Sequence, residues 1–406
     1  MLSSIINSRW RFPITFSLIN VILATAYSYS FIRPAVEKSY NIDVSLSVLP
    51  VTAFFIFLSS FVGINSQLIK IFGLIKTFYI GWFLFSLGFI CSGFCTNIWQ
   101  LALCFGVIAG AGIGIIYSSN LALATKWFPD KKGLATGVTI AGFGLSPLFV
   151  VFLLKAILTS VGLSQMFLMT GTVYSLIVLG LILTLSEPKT EAQKNIVLTG
   201  FTPKEILKKI DFWYTYFICL CGIGVGLVVL GSLSLILKEI LKADENAIAL
   251  SIGLLAIPNF LGRPVMGYLT TKYSLKELII VTFSCLILAT GLIASPFALG
   301  NWAIIIFALG LIMACYGAWM TICPTITSAK FGHKHYPSNF GLMFSSYAVG
   351  GLIGLVLNGN IKTIGSFQGI FAYLVGVSIV GLLVTIFTQK NVIPAIVPDE
   401  LLDLPE

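Results

Sequence analysis

Apolar residues fall along the chain in long runs, each close to the twenty or so residues that a helix needs to cross the hydrocarbon of a bilayer. Twelve such runs are read, at roughly 12–34, 45–69, 74–95, 98–124, 134–159, 163–186, 212–237, 247–270, 277–296, 301–326, 339–361 and 366–388. Short polar segments separate them. The stretch from Lys126 to Gly144, KWFPDKKGLATGVTIAGFG, opens on one of the most charged of these and has a second copy later in the chain. A shift of 204 positions lays Lys126 on Lys330, Trp127 on Phe331, Gly137 on Gly341 and Phe143 on Tyr347 without a gap. The chain is therefore expected to consist of two similar halves, and repeats of this length in a membrane protein mean a transporter of two bundles with a site between them. The expected organisation is an all-α membrane protein with an N-terminal six-helix bundle over 1–190, a cytoplasmic linker over 191–211, a C-terminal six-helix bundle over 212–390 and a cytoplasmic tail over 391–406. In the polar stretch 187–211, Thr202-Pro203-Lys204-Glu205 reads as an N-cap with proline at the first helical position, which predicts a short helix at the interface. The competing reading of the stretch is a plain linker with a lysine-rich solvated face.

Composition agrees with the pattern: 57% of the 406 residues are apolar, 10% are charged, and the mean hydropathy is +1.00. That excludes a soluble protein of any fold class. The formal net charge of +9 does not imply a nucleic-acid partner, because the basic residues gather in loops on one side. With the N-terminus inside, most of the 24 Lys and Arg lie in cytoplasmic segments, and only Arg33, Lys38, Lys238, Lys242 and Lys362 lie in outer ones. This bias puts both termini in the cytoplasm, in an inner or plasma membrane. No cleavable leader is expected. All eight cysteines sit inside apolar runs, and His333 and His335 sit apart from them in a loop. Neither a disulfide framework nor a metal site is indicated, and no cofactor is expected. With no nucleophile and base pair or phosphate loop in view, an enzyme is not expected either. The implied partners are a small-molecule cargo and the lipid bilayer, with the chain working as a monomer.

A charge within the bilayer is costly unless paired or hydrated, so ionisable residues inside spans are the first candidates for function. Arg263 lies eight residues before Thr271 in the eighth run, about 12 Å of helix, and no Asp or Glu lies well inside any run to neutralise it. Facing a central cavity, it makes a fixed-charge anion site whose planar fork suits a carboxylate; bent toward the interface, it only snorkels. Arg33 reads as a loop cation paired with Glu37, four residues on. Tyr27 and Tyr29, Tyr117 and Asn120, Tyr316 and Trp319, and Tyr347 are candidates to line the cavity with an apolar wall and a few hydrogen-bond donors.

Twelve spans in two repeated halves, a linker between spans 6 and 7, and basic loops after spans 2 and 8 resemble the major facilitator superfamily. Within it, KWFPDKKGLATG after span 4, YSYSF with Pro34 in span 1, NFLGRPVMG in span 8 and NFGLMFSSYAVGG in span 11 resemble the oxalate/formate antiporter family, a relative of the monocarboxylate transporters. The resemblance implies the major facilitator fold and a secondary transporter of small organic anions by alternating access, with the span 8 arginine, here Arg263, binding the substrate carboxylate. Proton-coupled monocarboxylate transporters carry an Asp one turn before that arginine, where this chain has Asn259, which implies antiport or facilitated passage rather than proton symport. The dicarboxylate antiporter carries a second cation where this chain has Tyr347, so the resemblance implies a monocarboxylate and disfavours oxalate. The superfamily's charged motif is degraded in both halves. KIFGLIK stands after span 2, and Gly267, Thr271, Lys272, Ser274 and Lys276 stand after span 8 without the acidic residue, so the usual cytoplasmic latch is expected to be missing. Two alternatives stay open: a zwitterionic amino acid as cargo, and a membrane sensor that keeps the fold without transport.

Overall fold

The computed structural model describes residues 9–188, 200–296, 301–332, 334–359 and 367–389. The expected tail, most of the linker and His333 lie outside them. Twelve membrane-length helical segments follow one another: α1 (11–40), α2 (Leu49–Phe72), α3 (Leu74–Ser92), α4 (Ile98–Trp127), α5 (132–161), α6 (163–183), α7 (Ile210–Leu241), α8 (Glu245–Leu269), α9 (Leu275–Ala294), α10 (Trp302–Phe331), α11 (Tyr336–Gly359) and α12 (Phe367–Thr388). They form two pseudo-symmetric six-helix bundles, α1–α6 and α7–α12. The end of the molecule that bears the start of α1 is called proximal here, and the opposite end distal.

Hydropathy locates these helices but not their irregularities. α1 is two α-helices, Arg11–Leu23 and Tyr29–Tyr40, joined by a 3₁₀ turn over Ala24–Ser28. α4 contains a π-helical stretch over Ala102–Ala109, a feature that often accompanies function. α5 and α6 meet at Gly162, whose φ of 81° is open to a residue without Cβ. Large apolar side chains such as Phe94, Leu176, Phe307 and Phe387 are exposed around the outside, as a lipid-facing surface requires. Inside, many Ser and Thr hydroxyls bond the carbonyl one turn back, as Thr170 does to Met166 and Ser232 to Val228, which satisfies them where lipid could not.

The proximal ends are tied by charge within each bundle. Arg9 donates two hydrogen bonds to the buried Asp130 carboxylate, at 2.9 and 2.7 Å, and lies over the Phe128 ring. In the other half Lys330 pairs with Asp211 at 2.8 Å. Thr202 and Glu205 form a reciprocal capping box on the short helix Pro203–Leu207, and the hydrogen bonds from Thr202 hold the Glu205 carboxyl below its ordinary range. This end of the linker is fastened to the C-terminal bundle: the Phe201 amide donates to the Phe331 carbonyl, and Asn339 donates to that of Phe201.

Between the bundles, two seams of helices run antiparallel. In the α2/α11 seam Gly63 meets Gly341 backbone to backbone, and the Ser66 and Ser338 hydroxyls bond at 2.7 Å. In the α5/α8 seam Gly133 faces Gly267, Gly137 faces the Arg263 carbonyl, and Gly144 faces Asn259 and Phe260. The 204-residue shift carries Gly63 onto Gly267 and Gly137 onto Gly341. Exact symmetry would therefore set Gly267 against Gly137; the observed register differs by one helical turn.

Candidate functional site

Arg263 sits on α8 six residues before its end at Leu269, so its Cα is about 9 Å of helix from the proximal end, somewhat shallower than the sequence suggested. Helical side chains lean toward the N-terminus, which for α8 is distal, so the guanidinium is carried back toward the middle of the bundle. The backbone of α8 is gripped on both sides: Gly137 and Gly144 of α5 leave no room for a Cβ on one, and Gly317 of α10 approaches the Asn259 carbonyl on the other. Thr321 of α10 donates to the Arg263 carbonyl at 3.1 Å. Pro258 and Pro264 interrupt the helix either side of Asn259 and Arg263, each removing one helical hydrogen bond.

The side chain of Arg263 is only 1% exposed and has no carboxylate partner among the described residues. One terminal nitrogen donates to the Ile140 carbonyl on α5, the other to Asn259 Oδ1 at 3.4 Å, and Nε has no partner. Asn259, one turn away, thus offers an acceptor without a charge. The bond to Ile140 has a counterpart in the other half. Ser59 on α2 donates to the Phe344 carbonyl on α11 at 2.9 Å, and the repeat shift carries 59 onto 263 and 140 onto 344. The two seams therefore hold equivalent cross-bundle bonds, one from a hydroxyl and one from a guanidinium.

Above Arg263 lies a closed ring of aromatic residues. The Tyr27 ring packs on Phe143 at 5.8 Å, Phe143 meets Tyr117 edge-on at 5.2 Å, Tyr117 stacks on Phe344 at 5.5 Å, and Phe344 stacks on Tyr347 at 4.9 Å. The Tyr347 hydroxyl closes the ring on that of Tyr27 at 3.1 Å, and Tyr316 joins the same cluster, 2.9 Å from Tyr27. Phe55 of α2 packs edge-on against Tyr347 from outside the ring. Arg263 is near enough to Tyr117 and Tyr316 to act on their hydroxyls electrostatically, and the buried Tyr117 hydroxyl has no partner.

Of the residues singled out from sequence, Arg263, Asn259, Tyr27, Tyr117, Tyr316 and Tyr347 come together here. Trp319 and Asn120 do not. The Trp319 indole is wedged between Gly222 of α7 and Phe283 of α9, inside the C-terminal bundle. Asn120 donates to Asn20, which donates to the Thr139 carbonyl, inside the N-terminal bundle. Both side chains turn into one bundle and not toward the space between the two. Tyr29 is turned away as well, bonding the Ser47 carbonyl. Arg33 is paired with Glu37 and with the Ser47 hydroxyl. Phe143, Phe344 and Ile140 complete the site; the repeat that aligns Phe143 with Tyr347 and Ile140 with Phe344 was the signal that could have found them.

The two repeated six-helix bundles have a counterpart in a known family. The sequence profile of the Major Facilitator Superfamily matches residues 14–236 and 227–399. The chain belongs to that superfamily. Among major facilitator relatives it is 26% identical over 349 residues to the MFS-type transporter YhjX of Escherichia coli, covering 85% of this chain and 86% of that one. It is 27% identical to the oxalate:formate antiporter of Oxalobacter formigenes, over 63% of this chain and 62% of that one. It is 23% identical to human monocarboxylate transporter 12, over 72% and 63% of the two chains. In fold it matches the Escherichia coli fucose:proton symporter, with a TM-score of 0.69 at 14% identity over 94% of this chain and 99% of that one. The protein is thus a multi-pass integral membrane transporter of the major facilitator type.

Proposed function

We propose that the protein carries small monocarboxylates across the membrane by alternating access, working by exchange or facilitated passage rather than proton symport. The observation that carries this reading is Arg263: a buried guanidinium with an unpartnered Nε and no carboxylate beside it attracts an anion that supplies the missing charge. The aromatic ring and its phenols supply the apolar wall and the few hydrogen-bond donors that a compact ligand needs. One cation matches one carboxylate; a dianion would keep a charge unpaired in a low dielectric. Asn259 cannot take a proton, and no buried carboxylate is found within the described membrane helices, so no proton carrier is at hand. The names of the antiporter and monocarboxylate relatives point the same way. The proximal face, with its lysine-rich loops, is the cytoplasmic one in this reading. The test is counterflow in proteoliposomes with labelled monocarboxylates, dicarboxylates and amino acids. Monocarboxylates are expected to exchange. Binding without counterflow would instead identify a sensor, and exchange confined to amino acids would replace the cargo.

A further inference from the structure

The apolar run that becomes α5 contains a lysine for which the site around Arg263 has no use. Lys155 lies six residues before the distal end of α5 at 161, about 9 Å of helix. Its ammonium donates to Asn246 Oδ1 at 2.7 Å, and Asn246 is the second residue of α8, at the distal end of the other bundle. The side chain thus runs distally to the level where α8 begins, as a lysine stem does when it carries its charge to the bilayer surface. The pair sits on the outer flank of the α5/α8 seam. On α8, Asn246 shares its exposed face with Leu250 and Leu254, four and eight residues on, and on α5 Phe152 and Leu153 are exposed on the proximal side of Lys155. Behind them the seam is filled: the Phe152 ring lies against Gly253, and Leu154 and Ile252 are buried.

We propose that Lys155 and Asn246 hold the phosphate of an anionic phospholipid whose acyl chains lie along the groove between Phe152 and Leu153 of α5 and Leu250 and Leu254 of α8. The ammonium has three donors and gives one to Asn246, whose amide nitrogen has two more. Among the described residues no carboxylate is ion-paired with Lys155, and Asp244, two residues before Asn246, accepts from the Ala247 amide at 2.7 Å instead. The surroundings decide what kind of anion fits. A soluble anion would give up its hydration against an apolar, lipid-facing flank. A phospholipid carries its phosphate to this level on chains that match the flank, and basic pockets between membrane helices recognise anionic headgroups in this way. A zwitterionic headgroup has an ammonium of its own, so a lipid with net negative charge is preferred. Because one donor comes from each bundle, the bound phosphate bridges them. The inference depends neither on the cargo nor on which face is cytoplasmic.

The experiment is native mass spectrometry of the full chain released from detergent micelles, titrated with phosphatidylglycerol or with phosphatidylethanolamine of the same acyl chains. Phosphatidylglycerol is expected to bind more tightly. Lys155→Gln is expected to weaken its binding about five-fold, the effect of one lysine at a membrane surface, and to leave phosphatidylethanolamine nearly unchanged. Asn246→Asp gives Lys155 a carboxylate in place, so it is expected to keep the contact between the two helices and still lose the lipid. That variant separates binding from packing, and it carries the test should Lys155→Gln fail to fold. Lys38→Gln, which removes an exposed charge at the distal end of α1, is expected to change nothing. Equal loss in Lys155→Gln and Lys38→Gln, undiminished binding in Asn246→Asp, or equal binding of the two lipids by the unaltered chain would each overturn the assignment. Displacement of phosphatidylglycerol by inorganic phosphate would overturn it in favour of a soluble anion. Counterflow is read separately, so a failure here leaves the carboxylate reading standing.

Discussion

Keeping a guanidinium inside a bilayer helix costs on the order of 3 kcal/mol or more, and the Ile140 carbonyl and Asn259 amide meet only part of what Arg263 can donate. A carboxylate held by the planar fork would use it more fully, and a lysine ammonium could not reproduce that contact. Arg263→Ala and Arg263→Lys are therefore both expected to lose transport, by at least ten-fold, while the purified protein keeps its helical circular dichroism. Near-normal uptake by the alanine variant would remove Arg263 from the site. Tyr347 offers a second test at this scale. Its hydroxyl lies in the phenol cluster, so Tyr347→Lys would set a second cation near the first. Repulsion between them should weaken a bound monocarboxylate, and a dicarboxylate would satisfy both. The ratio of dicarboxylate to monocarboxylate affinity is expected to rise in the variant; a ratio that stays put would mean that one cation is not what sets the preference.

Helices, unlike residues, were largely legible in the sequence. The apolar run read at 366–388 is the helix Phe367–Thr388, and that read at 74–95 is Leu74–Ser92, because a bilayer imposes length and apolarity on every span. The 3₁₀ turn in α1 and the π-helical stretch in α4 left no such trace, since both are local backbone choices with unchanged hydropathy. Nor did the ion pair of Arg9 with Asp130, 121 positions apart, which needs the fold to bring it together. The repeat shift relates glycines of the two seams, Gly63 to Gly267 and Gly137 to Gly341, but which glycines meet and the one-turn difference between the seams came only with the fold. At Gly341 an added Cβ would fall well inside van der Waals contact of the Gly63 backbone. Overpacking of that kind costs about 1–3 kcal/mol, and here the cost falls on closing the bundles together. Gly341→Ala is expected to lower the exchange rate several-fold and to lengthen the distance between spin labels on the proximal ends of α2 and α11. Gly180→Ala, where an added Cβ meets nothing within 4 Å, should leave both unchanged. Equal behaviour of the two variants would mean that the seam does not move.

For the molecule as a whole, charge and hydroxyl contacts divide between the bundles and one of the seams that joins them. The ion pairs Arg9–Asp130, Lys126–Glu187 and Lys330–Asp211 each brace one bundle from within, while the α2/α11 seam is held by serine hydroxyls and glycine contacts. Interhelical hydrogen bonds in a bilayer are worth only about 0.6 kcal/mol each, so such a seam can open and close without a large barrier. The energy source is also a whole-molecule property. With Asn259 in place of a titratable group, an imposed proton gradient is not expected to drive accumulation once the substrate's own ionisation is held fixed. Several-fold accumulation that collapses with a protonophore would show that a proton is carried by a group other than these.

The lone guanidinium also has an electrical consequence. Among the described residues, Arg263 is the one buried charged side chain that lies away from the ends of the membrane-spanning helices and has no carboxylate beside it. If the site alternates between the two sides as proposed, the narrow barrier across which the membrane voltage falls passes from one side of that charge to the other, so the empty carrier in effect moves one positive charge. A bound monoanion cancels it, and the loaded carrier turns over as a neutral body. One charge crossing the full field is worth about 2.3 kcal/mol per 100 mV. One-for-one exchange of monocarboxylates should therefore be indifferent to a potassium diffusion potential set with valinomycin. Net flux, which needs the empty carrier to return, should speed or slow with its sign. An exchange rate that follows the voltage as closely as net flux does would mean that the cargo does not neutralise Arg263.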